Sequence, residues 1–270
     1  MKPHEEVFNR WLCNKHVLIT GASSGIGKAL AWQLAGQCSI TDVNRMLTFV
    51  STNRNGKLDQ LTKAIEAHQK VKCFCYQADV CDTKKMEQII DDAHQKQQID
   101  AFVHCAGGSH IYAPLSDTSY DDIAQIINVN LISTINWLKY LLPKMAANEM
   151  DGKKRGHIVF LSSRSGERAL SNLCPYAAAK GGIEKLAEGL RTEYAKDRIV
   201  FTLINPGSAR TAFVDNWKNS KAAEQHNQEA MRADDVAAMI RMCLDSDHAV
   251  NKISVESIDQ WLHEPGVVQK

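Results

Sequence analysis

Residues 20–27 read Thr-Gly-Ala-Ser-Ser-Gly-Ile-Gly. Just ahead stands His16-Val-Leu-Ile-Thr20, a short apolar run of strand type, and just behind it Ile26, Leu30 and Leu34 recur at helical spacing without a proline. Strand, glycine-rich turn and helix in that order make the phosphate-binding unit of a dinucleotide fold. Gly21 permits a tight turn, Gly25 lets the backbone approach a pyrophosphate, and Gly27 allows close helix–strand packing. The N-terminus of the helix adds N–H groups and the positive end of its dipole. An ordinary Gly/Ser loop would need neither the strand before it nor the helix after it.

The alternation continues outward from this unit. Strand-like runs fall at 46–51, 71–77, 99–104, 156–161, 199–205 and 252–255. Helical patterns lie between them, over 58–65, 86–93, about 120–145, 176–195 and 234–244. Nearly continuous apolar strands alternating with helices predict a parallel sheet covered on both faces. With right-handed crossovers the expected fold is α/β, a Rossmann-type doubly wound parallel sheet of about seven strands. Residues 1–14 are expected as an N-terminal extension with one amphipathic turn (Val7, Phe8, Trp11, Leu12), and 15–270 as a single domain.

Bulk properties exclude several classes. The 270 residues suffice for one well-buried α/β core. With 32 basic against 31 acidic residues, charge points to no nucleic-acid or membrane partner. No apolar run approaches the roughly 20 residues of a membrane span, and Glu5, Glu6 and Arg10 interrupt what a signal peptide would keep apolar. The eight cysteines form no CxxC and the ten histidines no HxxxH or HExxH, so no metal site is expected. Scattered thiols fit a reducing cytoplasm. Cys174, near Tyr176, is the one candidate for an exposed thiol, read as structural rather than reactive.

The second informative stretch is Tyr176-Ala-Ala-Ala-Lys180, with Pro175 ahead of it as a helix-start signal. Tyr176 and Lys180 are i and i+4 neighbours on one helix face. A phenol has a pKa of roughly 10, and a nearby cation favours the phenolate, pulling that value towards the working range. In open parallel sheets ligands sit beyond the carboxyl ends of the strands. There the chain presents the glycine turn, Asp79, Cys105-Ala-Gly-Gly108, Ser162-Ser163 and Asn205-Pro-Gly207.

Together these residues resemble the short-chain dehydrogenase/reductase family in its classical form, over about residues 14–256. TGASSGIG matches the family's cofactor turn (Gly21, Ser23, Ser24, Gly25, Ile26, Gly27), and Ser163, Tyr176 and Lys180 match its catalytic serine, tyrosine and lysine. INVNL places Asn130 at the catalytic asparagine. Asp79-Val80 matches the adenine-contacting position, Ala106-Gly107 the turn after the fourth strand, and INPGSART places Pro206, Gly207 and Thr211 at the nicotinamide end. One departure is Cys105 where the family usually has asparagine, which removes a side chain that helps knit the sheet. Another is an apparent insertion at about 36–45.

The resemblance implies hydride transfer between a nicotinamide and a carbonyl or alcohol carbon. Tyr176 would exchange the proton, Lys180, helped by the cationic oxidised nicotinamide, would keep the phenol's pKa low and would also hold the ribose, Ser163 would polarise the substrate oxygen, and Asn130 would hold a water that links Lys180 to solvent. The alternative is a non-catalytic cofactor-binding sensor or scaffold, against which the complete set of four residues argues. A longer epimerase or dehydratase would need a substrate domain for which the 65 residues after Asn205 leave little room. The small-molecule substrate is bounded only by its lining segments, 108–115, 164–174 and 208–231. His110, Arg164, Glu167 and Arg168 lean towards a polar or anionic compound, and the polar 211–231 stretch towards a small lid. Small and apolar residues on several faces of the 120–145 and 176–195 helices, including Ala177, Ala178, Gly181 and Leu186, predict a homodimer or homotetramer.

Cofactor choice turns on the second strand. An acidic residue about 20 positions after the glycines selects NAD(H), and by counting that is Asp42. Taking residues 46–51 as the strand instead makes uncharged Asn53 the discriminating position, followed by Arg54, which could pair with a 2′-phosphate. On that register NADP(H) is expected, with NAD(H) the alternative.

Overall fold

A computed structural model of the chain describes residues 11–36, 45–52, 56–68, 71–150, 152–211 and 230–258, with 213, 217, 223, 224, 227, 228 and 260. Seven strands form one parallel sheet: β1 (His16–Thr20), β2 (Met46–Ser51), β3 (Lys72–Gln77), β4 (Ala101–His104), β5 (Gly156–Leu161), β6 (Ile199–Pro206) and, after a separate short pair, β9 (Lys252–Val255). Their order is β3-β2-β1-β4-β5-β6-β9. The order reverses between β1 and β4, so the crevice for a ligand opens beyond the ends of those two strands. The short pair is β7 (Ala209–Arg210) with β8 (Met231–Arg232).

Alternation along the strands builds two cores. Val17, Ile19, Val103, Val159 and Ile204 face one side, packed with α1 (Gly25–Gly36), α2 (Lys57–His68) and α8 (Ala233–Asp245). Leu18, Phe102, Ile158, Phe160 and Leu203 face the other, against α3 (Thr83–Lys96), α5 (Ser133–Ala146) and α7 (Cys174–Glu193). The disputed second strand is Met46–Ser51, buried along its whole length and paired with β1 from His16↔Met46 to Thr20↔Val50. Cys38 and Asp42, with most of the expected insertion, lie outside the described residues. Residues 1–10 do too, but Trp11 and Leu12 of the expected extension are core residues.

The helix expected over 120–145 is interrupted. α4 (Tyr120–Ile127) and α5 are joined by a π turn, Asn128–Ile132. Such turns cluster at functional sites, and this one carries Asn130. A one-turn helix, α6 (Arg164–Glu167), was not anticipated between β5 and α7.

The central strands also bury three histidines in hydrogen-bonded pairs with threonines of neighbouring strands. His16 Nε2 lies 2.8 Å from Thr48 Oγ1, His104 Nδ1 2.9 Å from Thr20 Oγ1, and His157 Nε2 2.8 Å from Thr202 Oγ1.

Candidate active site

The glycine turn is built by backbone contact. Gly21 has φ +67°, and a Cβ on it would stand 2.8 Å from the Ala106 nitrogen, so the turn presses on the loop after β4. Gly25, φ +52°, opens α1 at the crevice, where a Cβ would stand 3.0 Å from Thr211 Cγ2. A Cβ on Gly27 would stand 2.5 Å from Gly21 O and 2.9 Å from Gly21 C. Those are main-chain atoms, so nothing can rotate aside. Gly27→Ala is expected to push α1 off the turn, costing about 1–3 kcal/mol of stability and most of the dinucleotide affinity. Unchanged thermal stability together with unchanged cofactor titration would contradict this.

These residues line a cleft of about 1120 Å³ along the sheet's carboxyl edge. Ser23, Ser24, Ile26, Asp79, Val80, Ala106, Pro206, Gly207 and Thr211 all lie on its wall. Ser23 Oγ reaches Ser51 Oγ at 2.6 Å, and Asp79 accepts from the Cys81 amide at 2.9 Å. Asn53 and Arg54 lie outside the described residues, although Ser51 and Thr52 just before them line the cleft.

Asn130 does not line the cleft. Its Oδ1 accepts from Gly108 N at 2.9 Å, and its Nδ2 donates to Gly108 O and Ile126 O, both at 2.8 Å. The side chain therefore clamps the Gly107-Gly108 loop, and a Cβ on Gly107 would stand 2.6 Å from Oδ1 and 3.5 Å from Lys180 Nζ. That clamp, with the Ala106 amide donating to Thr20 Oγ1 at 3.3 Å, knits the segment where Cys105 replaces the expected asparagine. Burial pushes the Cys105 thiol up to about 12, so it is an inert packing group at neutral pH. Cys174 is exposed.

Ser163, Tyr176 and Lys180 converge on the cleft from the end of β5 and the first turns of α7. Ser163 caps α6, its Oγ accepting from Ser165 N at 3.1 Å. Burial pushes the Tyr176 phenol up to about 12, against a lowering by its hydrogen bond with Ser163. Lys180 Nζ donates to Leu161 O at 2.8 Å and stands 5.6 Å from the Tyr176 ring centroid. Burial brings its ammonium down to about 8, with Cys105 opposing. Desolvation dominates both groups, and Ser163 is the side chain that lowers Tyr176.

The substrate end is more aromatic than expected. Phe213 and Trp217 come from the stretch read as a small polar lid. Trp217 stacks on Tyr112 at 4.6 Å and meets Phe213 edge-on at 5.5 Å, while Phe213 lies 5.4 Å from the Tyr176 ring. Trp217 Nε1 donates to Ser109 O at 3.3 Å. The charges read as a lean towards anionic substrates are largely matched internally. His110 pairs with Asp122 at 2.7 Å, and Arg164 pairs with Glu167 at 2.9 Å and Glu256 at 3.4 Å. The missed signal is two aromatics, Phe213 and Trp217, close together in an otherwise polar run.

A parallel sheet with its glycine turn at the topological switch point defines the class of dinucleotide-binding α/β proteins. Within that class, the short chain dehydrogenase family model matches residues 15–222. The chain belongs to that family. Among curated relatives it is 32% identical over 226 residues to a dehydrogenase/reductase SDR family protein 7-like of Anopheles gambiae, covering 83% of this chain and 68% of that one. It is 28% identical over 256 residues to glycine betaine reductase ATRR of Emericella nidulans, covering 92% of this chain but only 19% of that much longer protein. An alcohol dehydrogenase from Thermococcus sibiricus, solved with 5-hydroxy-NADP, superposes with a TM-score of 0.75 at 22% identity, covering 90% and 97% of the two chains. Among the described residues, no helix is long and apolar enough to cross a membrane, and no group of three or more His, Cys, Asp or Glu could hold a metal.

Proposed function

We propose that the chain is an NAD(P)(H)-dependent oxidoreductase interconverting a carbonyl compound and its alcohol, with Tyr176 as the acid–base group. The observation that carries this reading is the convergence of Ser163, Tyr176 and Lys180 on one cleft, whose wall also carries the glycine turn Gly21, Gly25 and Gly27. Gly21, Gly25 and the N-terminus of α1 would hold the pyrophosphate, Asp79 and Val80 the adenine, Lys180 the ribose, and Pro206, Gly207 and Thr211 the nicotinamide end. The bound cofactor supplies or accepts the hydride, and the chain supplies position and proton. Ser163 Oγ would polarise the substrate oxygen while Tyr176 delivers or takes its proton. The rest of the substrate would lie along Phe213, Trp217 and Tyr112, which favours an apolar or flat body over an anionic one. A panel of carbonyls and alcohols followed by NAD(P)H absorbance tests the proposal. Cofactor binding without turnover across the panel would move the reading to a sensor.

NADP(H) is the proposed cofactor. The strand at Met46–Ser51 supports it, because the residues next in sequence after that strand are 52–54 rather than the neighbourhood of Asp42. The expected result is a kcat/KM higher with NADPH than with NADH, with the preference lost in Arg54→Ala and kept in Asp42→Ala. A wild-type preference for NADH that disappears in Asp42→Ala would reverse the assignment.

A homo-oligomer is proposed on the apolar surface of the paired helices. Ile132 and Ile135 are 39% and 37% exposed, and Tyr120 at the start of α4 is 91% exposed. Light scattering at micromolar concentration is expected to give at least twice the chain mass, and a strict monomer would refute the proposal.

A further inference from the structure

The turn that holds Ser163 has no hydrophobic anchor of its own, since α6 is four residues long and its one buried member is Ser165. Beside Arg164, which pairs with Glu256 at 3.4 Å, two further contacts hold it. Gly166 packs on the backbone of α7, where a Cβ would stand 2.9 Å from the carbonyl carbon of Lys180 and 3.1 Å from its oxygen. Glu167 is tied to the last strand, 85 residues on. Lys252 Nζ lies 2.5 Å from Glu167 Oε1, and Ser254 Oγ donates to the same oxygen at 2.5 Å. Lys252 and Ser254 are two apart in β9 and so share a face.

Lys252 also reaches Glu184 Oε2 at 3.0 Å, one turn beyond Lys180 in α7, and the other oxygen of Glu184 accepts from Asn205 Nδ2 at 2.7 Å. One ammonium thus joins α6, α7 and β9 at the back of the site. Burial would raise the Glu167 carboxyl, but hydrogen bonds from Lys252, Ser254 and Asn205 outweigh it and hold the group at about 2. The carboxylate is fully charged throughout the physiological range.

We propose that Lys252 is a positioning residue for the reaction: by bridging Glu167 and Glu184 it sets the Ser163 turn against Tyr176 and Lys180. Without it, two carboxylates from adjacent helices face each other across the vacated position, and like charges there repel. The turn that carries Glu167 is the smaller and freer of the two, so it moves, and Ser163 moves with it. A displacement near 1 Å is enough to cost about 100-fold in rate when a reacting group is misplaced.

The inference rests on the proposed role of Ser163, and its test separates the two. Lys252→Met is expected to lower kcat by at least about tenfold at a temperature well below unfolding, with cofactor KM within about twofold of wild type. Lys252→Arg, which keeps the cation and adds a second donor arm, is expected to restore most of the rate. Hydrogen exchange gives a readout independent of turnover. The Ser165 amide, bonded to Ser163 Oγ, is expected to exchange about tenfold faster in Lys252→Met, while amides of β5 and β6 keep their protection. Unchanged kcat and unchanged Ser165 exchange in Lys252→Met would overturn the proposal, as would a parallel loss of kcat, cofactor affinity and sheet protection that Lys252→Arg does not rescue. If the wild-type chain turns over no substrate, the oxidoreductase reading fails, and the Ser165 exchange rate alone decides whether Lys252 holds the turn.

Discussion

Tyr176→Phe is expected to lower turnover by about 10²–10⁴-fold, the range for losing a positioned acid–base group, with NADPH affinity nearly unchanged. The substitution removes one oxygen and leaves the ring, which is 8% exposed and packed against Phe213 and Leu173. Packing, Lys180 and the glycine turn all stay as they are, so the loss falls on the chemical step. Burial pushes the phenol up to about 12, so at neutral pH it carries its proton and is set to donate it to an oxygen that gains negative charge. On the proposed mechanism Ser163 would favour that transfer twice, by lowering the phenol through their hydrogen bond and by hydrogen-bonding the same substrate oxygen. Near-native turnover by Tyr176→Phe on any good substrate would remove Tyr176 from the mechanism.

That Ser163, Tyr176 and Lys180 meet on one cleft could be read because each has a local signal: the end of an apolar strand, and an i, i+4 spacing behind a helix-start proline. The glycine turn and the strands Gly156–Leu161 and Lys252–Val255 were legible for the same reason. Where the determinant is a distant partner, the local reading stops. Nothing near Lys252 says that it meets Glu167 and Glu184, and nothing near Asn130 says that its amide is consumed by Gly108 and Ile126. Phe213 and Trp217 sit in polar sequence, and become a wall only because Tyr112 and Tyr176 arrive from other elements. The relation between Lys180 and Tyr176 shows a further limit. Spacing gives proximity, but the sign and size of a pKa shift depend on burial, which spacing along one helix does not report.

Acid is expected to unfold this protein well before its carboxylates are exhausted, through the three histidines of the central sheet. Each ring has one nitrogen committed as an acceptor. His16 donates from Nδ1 to Gln97 O at 2.8 Å, leaving Nε2 to accept from the Thr48 hydroxyl. Ser133 Oγ donates to Val129 O and so receives His104 Nε2–H, leaving Nδ1 to the Thr20 hydroxyl. Lys154 Nζ donates to His157 Nδ1 at 3.1 Å, and a proton there would face that ammonium. Burial is the largest cause of the shift in all three. It brings His16 down to about 4 and His104 to about 3, and holds His157 well below 6.5. These folded values lie below the unfolded one, so below pH 6.5 the unfolded chain binds protons that the folded chain refuses. The histidines' contribution to stability is therefore complete above pH 6.5 and drains away as pH falls towards 4. The shifts of His16 and His104 each correspond to roughly 3–5 kcal/mol, against a total native stability of about 5–15 kcal/mol for typical domains. Asp100, whose carboxyl burial raises, works in the opposite sense but is one group against three. Denaturant midpoints between pH 7.5 and 4.5 are expected to fall with a slope of about two to three protons, each worth roughly 1.4 kcal/mol per pH unit. A stability profile flat from pH 6.5 to 5 would show that these rings are protonated in the folded protein, and that the sheet accommodates charge where its hydrogen bonding provides no second acceptor.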